Sequence, residues 1–388
     1  MDFDLTEDQQ TIRDAVRELA GKFDDDYWLD KDEKHEFPTE FYDVFARGGW
    51  LGITTPEEYG GTGMGITEAS ILLEEVAASG AGMNGASALH MSIFGMHPVI
   101  VHGSDQMKAR DLPRIVSGDL HVCFGVTEPG AGLDTTRITT FARKEGDSYV
   151  VNGRKVWISK AIESEKILLL TRTQKIEDVE RKTDGMTLFF TNLDRSKVDV
   201  RPIRKMGRNA VTSNELFIDD LVIPEEDRIG EEGKGFKYIL DGLNPERMLV
   251  AAEALGIGRV ALRRAVQYGN EREVFGRPIG KNQGIQFPLA DSLARLDAAE
   301  LVLRKATWLY DNGRPCAREA NMAKYLCADA GFDAADRALQ THGGMGYSEE
   351  YHVARYFREA RLTRIAPISQ EMVLNYLGEH VLGMPRSY

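Results

Sequence analysis

The chain has 388 residues, more than one hydrophobic core normally supports, so two or three packed regions are expected. With 42% hydrophobic and 28% charged residues it has the make-up of an ordinary soluble protein. A formal net charge of -13 argues against nucleic acid and anionic membrane surfaces as partners, because both need patches of Lys and Arg.

Cys123, Cys316 and Cys327 are widely spaced and form no C-x-x-C, which argues against a disulfide framework or zinc site and suits a reducing compartment. The eight histidines show no H-E-x-x-H spacing, and no G-x-S-x-G elbow is evident, so neither a metal nor a serine nucleophile is expected. The opening Met1-Asp2-Phe3-Asp4-Leu5 is acidic and lacks an apolar signal core, and no apolar run is long enough to cross a bilayer. The expected location is cytoplasmic.

Thr6 is a good N-cap with Gln9 completing a capping box, and Ile12, Val16 and Leu19 share one stripe, so a helix is expected from there to about Phe23. Helical spacing continues in Phe37–Gly49, Ile66–Ser79, Ser87–His102 and Asp105–Ser117. The period then changes to two in His121–Thr127, Ser148–Ser159, Lys166–Thr171, Met186–Leu193 and Glu215–Val222, with Asn152-Gly153 suited to a tight hairpin turn. After Ile229-Gly230 long helical stretches return over 237–270, 283–312, 316–342 and 368–382, as in an antiparallel bundle. The fold class is therefore mainly α with a β domain, divided as 1–118 all-α, 119–228 β and 229–388 helical bundle. Gly61-x-Gly63-x-Gly65 mimics a dinucleotide loop, but no βαβ unit surrounds it, so it reads as a loop and helix start.

Four motifs stand in order along this frame. The most informative is Val126-Thr127-Glu128-Pro129-Gly130-Ala131-Gly132-Leu133-Asp134, followed after an expected hairpin by Trp157-Ile158-Ser159. Leu51-Gly52-Ile53 with Glu57-Glu58-Tyr59-Gly60-Gly61 precedes it. Glu271-Arg272-Glu273-Val274-Phe275-Gly276-Arg277-Pro278-Ile279 with Gln283, and then Gln340-Thr341-His342-Gly343-Gly344-Met345-Gly346-Tyr347, lie in the bundle. Singly, each has a bland reading as turn, core tryptophan, surface ion pair or helix end.

Together, and nearly end to end, the chain resembles the acyl-CoA dehydrogenases: a helical domain, a β-barrel-like middle domain and a C-terminal four-helix bundle. The resemblance implies FAD as cofactor and α,β-dehydrogenation of an acyl-CoA to a trans-2-enoyl-CoA, by carboxylate abstraction of the α-proton and hydride transfer to flavin N5. It assigns cofactor binding to Phe124, Val126, Thr127, Trp157, Ser159, Arg272, Phe275, Gln283, Gln340, Gly343, Gly344 and Ser369. Backbone N–H groups and a hydroxyl at the strand end can meet the pyrimidine edge of the flavin, and Trp157 can cover a ring face. Arg272 offers a planar fork to a pyrophosphate, and Gly343 and Gly344 permit close backbone approach. In the family those last contacts come from a neighbouring subunit, which implies a homotetramer built as a dimer of dimers, with an electron-transfer flavoprotein as electron acceptor.

The chemistry needs one carboxylate facing the flavin across the thioester, in a water-poor slot that raises its basicity. Many relatives carry that Glu in a loop near the C-terminus, but the corresponding run here is Ile365-Ala366-Pro367-Ile368-Ser369-Gln370, with Pro367 at the Glu position. A branch that includes isovaleryl- and long-chain-type enzymes places the Glu on a bundle helix before an arginine, and Asn244-Pro245-Glu246-Arg247 matches it. Glu246 is the expected base, Arg247 a residue that tunes the site, and Asn244 a hydrogen-bonding partner for the pantetheine. Leu133 replaces the usual Ser near diphosphate or thioester, and Ser159 replaces Thr. Pro367 removes an N–H that in the family binds the thioester oxygen, worth about 3 kcal/mol unless a neighbour such as the Ile368 N–H takes over. A flavin oxidase of the same fold and a non-catalytic flavin or acyl-CoA binding subunit are the alternatives.

Overall fold

The computed structural model describes residues 4–387. Thr6 caps the first helix as the sequence requires: its Oγ1 accepts the Gln9 N–H at 3.2 Å, and Gln9 Oε1 accepts the Thr6 N–H. That helix, α1 (Glu7–Ala20), is followed by α2 (Asp25–Lys34), α3 (Thr39–Arg47), α4 (Ile66–Val76), α5 (Gly82–Ile93), α6 (His97–His102) and α7 (Asp105–Val116). Helix α2 escapes a pattern search because it buries only Trp28 and Asp32 among charged neighbours. The stretch Ser87–His102 is two helices rather than one. The chain breaks at Phe94–Met96, where Gly95 and the approaching Pro98 disfavour continued helix. Helix α1 likewise stops at Ala20 rather than at Phe23. Gly65 is the N-cap of α4, so the Gly-x-Gly-x-Gly run is a loop and helix start.

The strands are β1 (Val122–Gly125), β2 (Phe141–Glu145), β3 (Ser148–Ser159), β4 (Lys166–Arg172), β5 (Met186–Asn192), β6 (Val198–Pro202), β7 (Ser213–Pro224) and β8 (Arg228–Ile229). They form one sheet in the order β6-β7-β3-β2-β4-β5-β8, with β1 paired in parallel to β4. The Asn152-Gly153 pair does not make the turn. It lies inside β3 at a register shift against β7, while the β2–β3 hairpin closes through Gly146, at φ 59°. Gly153 is there for space, since a side chain would run into the Thr140 hydroxyl.

Strand β4 is buried on both faces: Ile167 and Leu169 pack with Tyr149, Val151 and Phe189, while Leu168 and Leu170 pack with Met107, Leu112 and Ile115 of α7. The sheet is thus held between its own curved partner strands and the N-terminal helices.

The third region contains α8 (Gly235–Asp241), α9 (Leu243–Glu271), the short strands β9 (Glu273–Val274) and β10 (Arg277–Pro278), α10 (Gln283–Asp311), α11 (Ala317–His342), α12 (Val353–Thr363) and α13 (Gln370–Tyr376). Gly242 separates α8 from α9, so the expected 237–270 helix is also two. Helix α9 is the axis of the molecule, because small residues let three elements close on it. A methyl at Gly256 would strike the Glu74 carbonyl of α4, and one at Gly258 would come within 2.9 Å of Gly331 in α11. The N-terminal helices and the bundle therefore share one core running from Trp28 and Phe41 through Leu72, Leu255 and Leu296 to Tyr356.

Candidate active site

The candidate site is built where β1 ends. Pairing of β1 with β4 stops at Gly125↔Leu169, so the Val126 and Thr127 N–H groups lie beyond the ladder. Their carbonyls are turned inward: Val126 O accepts from Lys155 Nζ at 3.0 Å and Thr127 O from the Val156 N–H at 2.9 Å. Glu128 anchors the bend. Its buried carboxylate accepts from the N–H groups of Thr139 at 2.7 Å and Thr140 at 3.0 Å, and from Lys155 Nζ at 2.9 Å. Burial opposes ionisation, yet Lys155 and the Thr139 and Thr140 donors hold this carboxyl below the usual range. Burial in turn pulls Lys155 down to about 8 against the attraction of Glu128.

The Val156–Thr127 bond sets Trp157 next to this bend. Between Lys155 and Ile158 β3 slips register against β7, and Trp157 takes a left-handed backbone, φ 63°, that leaves its ring 57% exposed. An aromatic held out of the core by a strained backbone is a platform awaiting a flat partner. Phe124 and Val126 are half-buried beside it, and Leu133 projects from the loop beyond, largely exposed. Gly130 and Gly132 have no neighbour where a side chain would stand. A planar heteroaromatic ring system such as an isoalloxazine fits this cradle.

Ser159, at the end of β3, links the cradle to the helices. Arg208 Nη2 donates to Ser159 Oγ at 3.0 Å and to Ser213 Oγ at 2.6 Å, and its Nη1 lies 3.5 Å from Ser87 Oγ on α5. One turn further along α5, His90 Nε2 is 2.8 Å from Glu246 Oε2, and His90 Nδ1 is 2.7 Å from Glu253 Oε1. Glu246 stands in the first turn of α9, with Pro245 just before it, and its side chain is 27% exposed whereas that of Glu253 is 1% exposed. Cradle and carboxylate are thus both tied to α5, through Ser87 and His90. Burial pushes the His90 imidazole down, but Glu246 and Glu253 together more than reverse this, so its pKa is raised well above the ordinary value.

Arg247 Nη1 donates to Asn244 Oδ1 at 2.9 Å, which leaves the Asn244 amide nitrogen as a donor. Burial lowers the Arg247 pKa. Ser369 caps α13, its Oγ accepting the Met372 N–H at 3.4 Å. Pro367 lies in the loop between α12 and α13, and among the described residues the neighbouring Ile368 N–H has no protein acceptor.

The remaining expected residues gather elsewhere, at the far end of the bundle. Arg272 follows the last turn of α9, and its carbonyl accepts the Ile279 N–H at 2.8 Å. Phe275 is fully exposed at the tip of the β9–β10 hairpin, and Gln283 opens α10. Tyr268 stacks on His342 with ring centroids 4.3 Å apart, bringing the end of α11, with Gln340, Gly343 and Gly344, to the same edge. Gly343 has φ 57° and both glycines are open to solvent. Within one chain these residues do not meet the cradle.

Sequence reasoning missed His90, Glu253 and Arg208. Glu253 carried a signal: it is the single charged residue in Met248–Gly258, and a charge inside an apolar helical run must find a partner.

Models of the acyl-CoA dehydrogenase N-terminal, middle and C-terminal domains match residues 6–119, 123–221 and 233–382. Acyl-CoA dehydrogenase FadE12 of Mycobacterium tuberculosis is 39% identical over 99% of this chain and 98% of its own length. The solved butyryl-CoA dehydrogenase of Megasphaera elsdenii is 32% identical with a TM-score of 0.93, over 98% of this chain and all of that one. A chain solved in work on the electron transferring flavoprotein of Acidaminococcus fermentans shows the same identity, coverage and TM-score. With three consecutive domains matched, a cradle that fits a flavin and a relative alike along nearly its whole length, the chain belongs to the acyl-CoA dehydrogenase family of FAD-dependent oxidoreductases.

Proposed function

We propose that Glu246 is the general base of this acyl-CoA dehydrogenase, placing the chain in the branch that carries its carboxylate on a bundle helix. The observation that supports this is that Arg208 ties Ser159 of the cradle to Ser87 of α5, the helix whose His90 holds the partly exposed Glu246 carboxylate. FAD, when bound, supplies the acceptor for the hydride leaving the β carbon. Trp157 and the Val126 and Thr127 N–H groups hold its ring system, with Phe124 and Ser159 completing the cradle. Glu246 takes the α-proton. Asn244 hydrogen-bonds the pantetheine, Arg247 fixes Asn244, and Leu133 lies along the thioester's path. The Ile368 N–H, lacking a protein acceptor, replaces the donor that Pro367 cannot offer.

Arg272, Phe275, Gln283, Gln340, Gly343 and Gly344 then serve the FAD of a neighbouring subunit in a homotetramer, and Ser369 adds a hydroxyl to the cofactor site. The electron acceptor we propose is an electron-transfer flavoprotein, in keeping with the bifurcating system of the Acidaminococcus chain. No helix among the described residues is long and apolar enough to cross a membrane, and the three cysteines are free and buried, in keeping with a cytoplasmic setting.

The test is anaerobic bleaching of the flavin by a panel of butyryl-, isovaleryl-, octanoyl- and palmitoyl-CoA. Wild-type protein is expected to be yellow and to bleach with at least one thioester without peroxide formation in air. Glu246→Gln is expected to keep FAD and bleach about 10² to 10⁴ times more slowly. Normal bleaching in that variant would remove Glu246 from the mechanism.

A further inference from the structure

Glu246 does not stand alone. Its Oε2 is held by His90 Nε2 at 2.8 Å, and the other nitrogen of the same ring is held by Glu253 Oε1 at 2.7 Å. His90 of α5 and Glu253 of α9 are both buried, and the residues flanking Glu253 on α9 are apolar. A buried carboxylate with no contact to solvent is expensive unless it does something for its neighbour. Glu253 is also faced by Arg208, whose guanidinium is buried and reaches Ser159 of the cradle.

We infer that His90, fixed by Glu253, is the positioning residue for the base: it ties down one oxygen of Glu246 and leaves the other as the sole proton acceptor. This rests on Glu246 being the base. The geometry admits one role for each group. Glu253 fixes the ring by accepting from Nδ1–H, Nε2–H donates to Glu246, and Arg208 balances the second negative charge. When Glu246 becomes neutral on taking the α-proton, the His90–Glu253 pair stays in place as an ion pair.

The charged groups around His90 are few. Glu246 and Glu253 face it from α9, and Arg208 faces Glu253 from the loop before β7. Lys160 lies at the Ala88 carbonyl of α5, and Arg355 and Glu359 of α12 pair with each other at the opposite end of that helix, by Met83. His90→Gln removes the cation that faces Glu246.

The experiment is stopped-flow flavin reduction from pH 5.5 to 9 in FAD-loaded wild type, His90→Gln, Glu253→Gln and Glu246→Gln, using the thioester that bleaches wild type fastest. His90→Gln is expected to slow reduction about 10- to 100-fold with little change in KM, and to move the acid limb of the rate profile up by about one pH unit. Glu253→Gln, which keeps the hydrogen bond but not the charge, should move the limb the same way. If Glu246→Gln is inactive while His90→Gln and Glu253→Gln keep the wild-type rate and acid limb, the positioning role is wrong and the base assignment stands. If Glu246→Gln bleaches normally, the base assignment itself falls. Should neither His90→Gln nor Glu253→Gln hold FAD, the ring is scaffold and the inference is overturned.

Discussion

Glu246 and Arg272 sit at opposite ends of one uninterrupted helix, α9. Roughly 39 Å of rise separates them at about 1.5 Å per residue, so they cannot serve the same bound flavin within one chain. If Arg272 grips the pyrophosphate of a neighbour's FAD, cofactor affinity depends on assembly. Arg272→Gln is expected to weaken FAD binding at least tenfold while leaving the thermal stability of the apoprotein unchanged. Dilution of wild type should release FAD in step with dissociation, followed by flavin fluorescence and by light scattering.

Trp157 predicts a different split. Its ring is exposed, so Trp157→Ala removes little buried surface, and, since alanine keeps the Cβ that the left-handed backbone disfavours, the apoprotein should melt within about 1 °C of wild type. The holoprotein should nevertheless shift its flavin absorbance bands and lose FAD more readily. Differential scanning fluorimetry of apo and holo forms, with the visible spectrum, separates the two effects.

Glu128 and Lys155 form a buried pair beneath the cradle, 2.9 Å apart and almost inaccessible to solvent. Glu128→Gln strands the Lys155 ammonium and should cost about 3–5 kcal/mol, with loss of FAD because the Val126–Thr127 bend loses its anchor. The double substitution Glu128→Gln with Lys155→Met should recover much of the stability but not the bend. Urea unfolding midpoints of the three proteins provide the check.

His121 gives a pH test. Burial, and to a lesser degree the nearby Lys160, pull its pKa from 6.5 to about 3. The unfolded chain therefore binds a proton near pH 6.5 that the folded one refuses. The stability linked to the neutral ring is complete above 6.5 and is lost progressively as pH falls toward 3. Buried Glu359, raised to about 7, acts in the opposite direction between pH 7 and 4.5, so the total need not fall. The difference between wild type and His121→Gln isolates the ring: lowering pH from 7.5 to 4.5 should erode wild type more than the variant. Equal erosion in urea melts at both pH values would contradict the assignment.

Much was legible from one dimension because local patterns and family order were strong. The capping box at Thr6, strand Ser148–Ser159 and the long helices over 283–312 and 316–342 stand where their residues placed them. Elements whose buried face is thin, such as α2 with Trp28 and Asp32 or β6 with its Val-Asp-Val start, gave too little periodic signal. Asn152-Gly153 misled because glycine serves close packing as readily as turning, and only the position of Thr140 decides which.

Sequence by itself determined the family and put forward the candidate cradle and the candidate Glu246, since these are written in contiguous residues and their order. Only the tertiary structure decided that Glu246 is held by His90, which is 156 positions away, that Glu253 backs that ring, and that Arg208 ties Ser159 to Ser87 of the same helix α5. The reason is that an apolar helix shows a charge must be paired but not with what. The partner is chosen by the packing of α5 against α9, which no local spacing encodes.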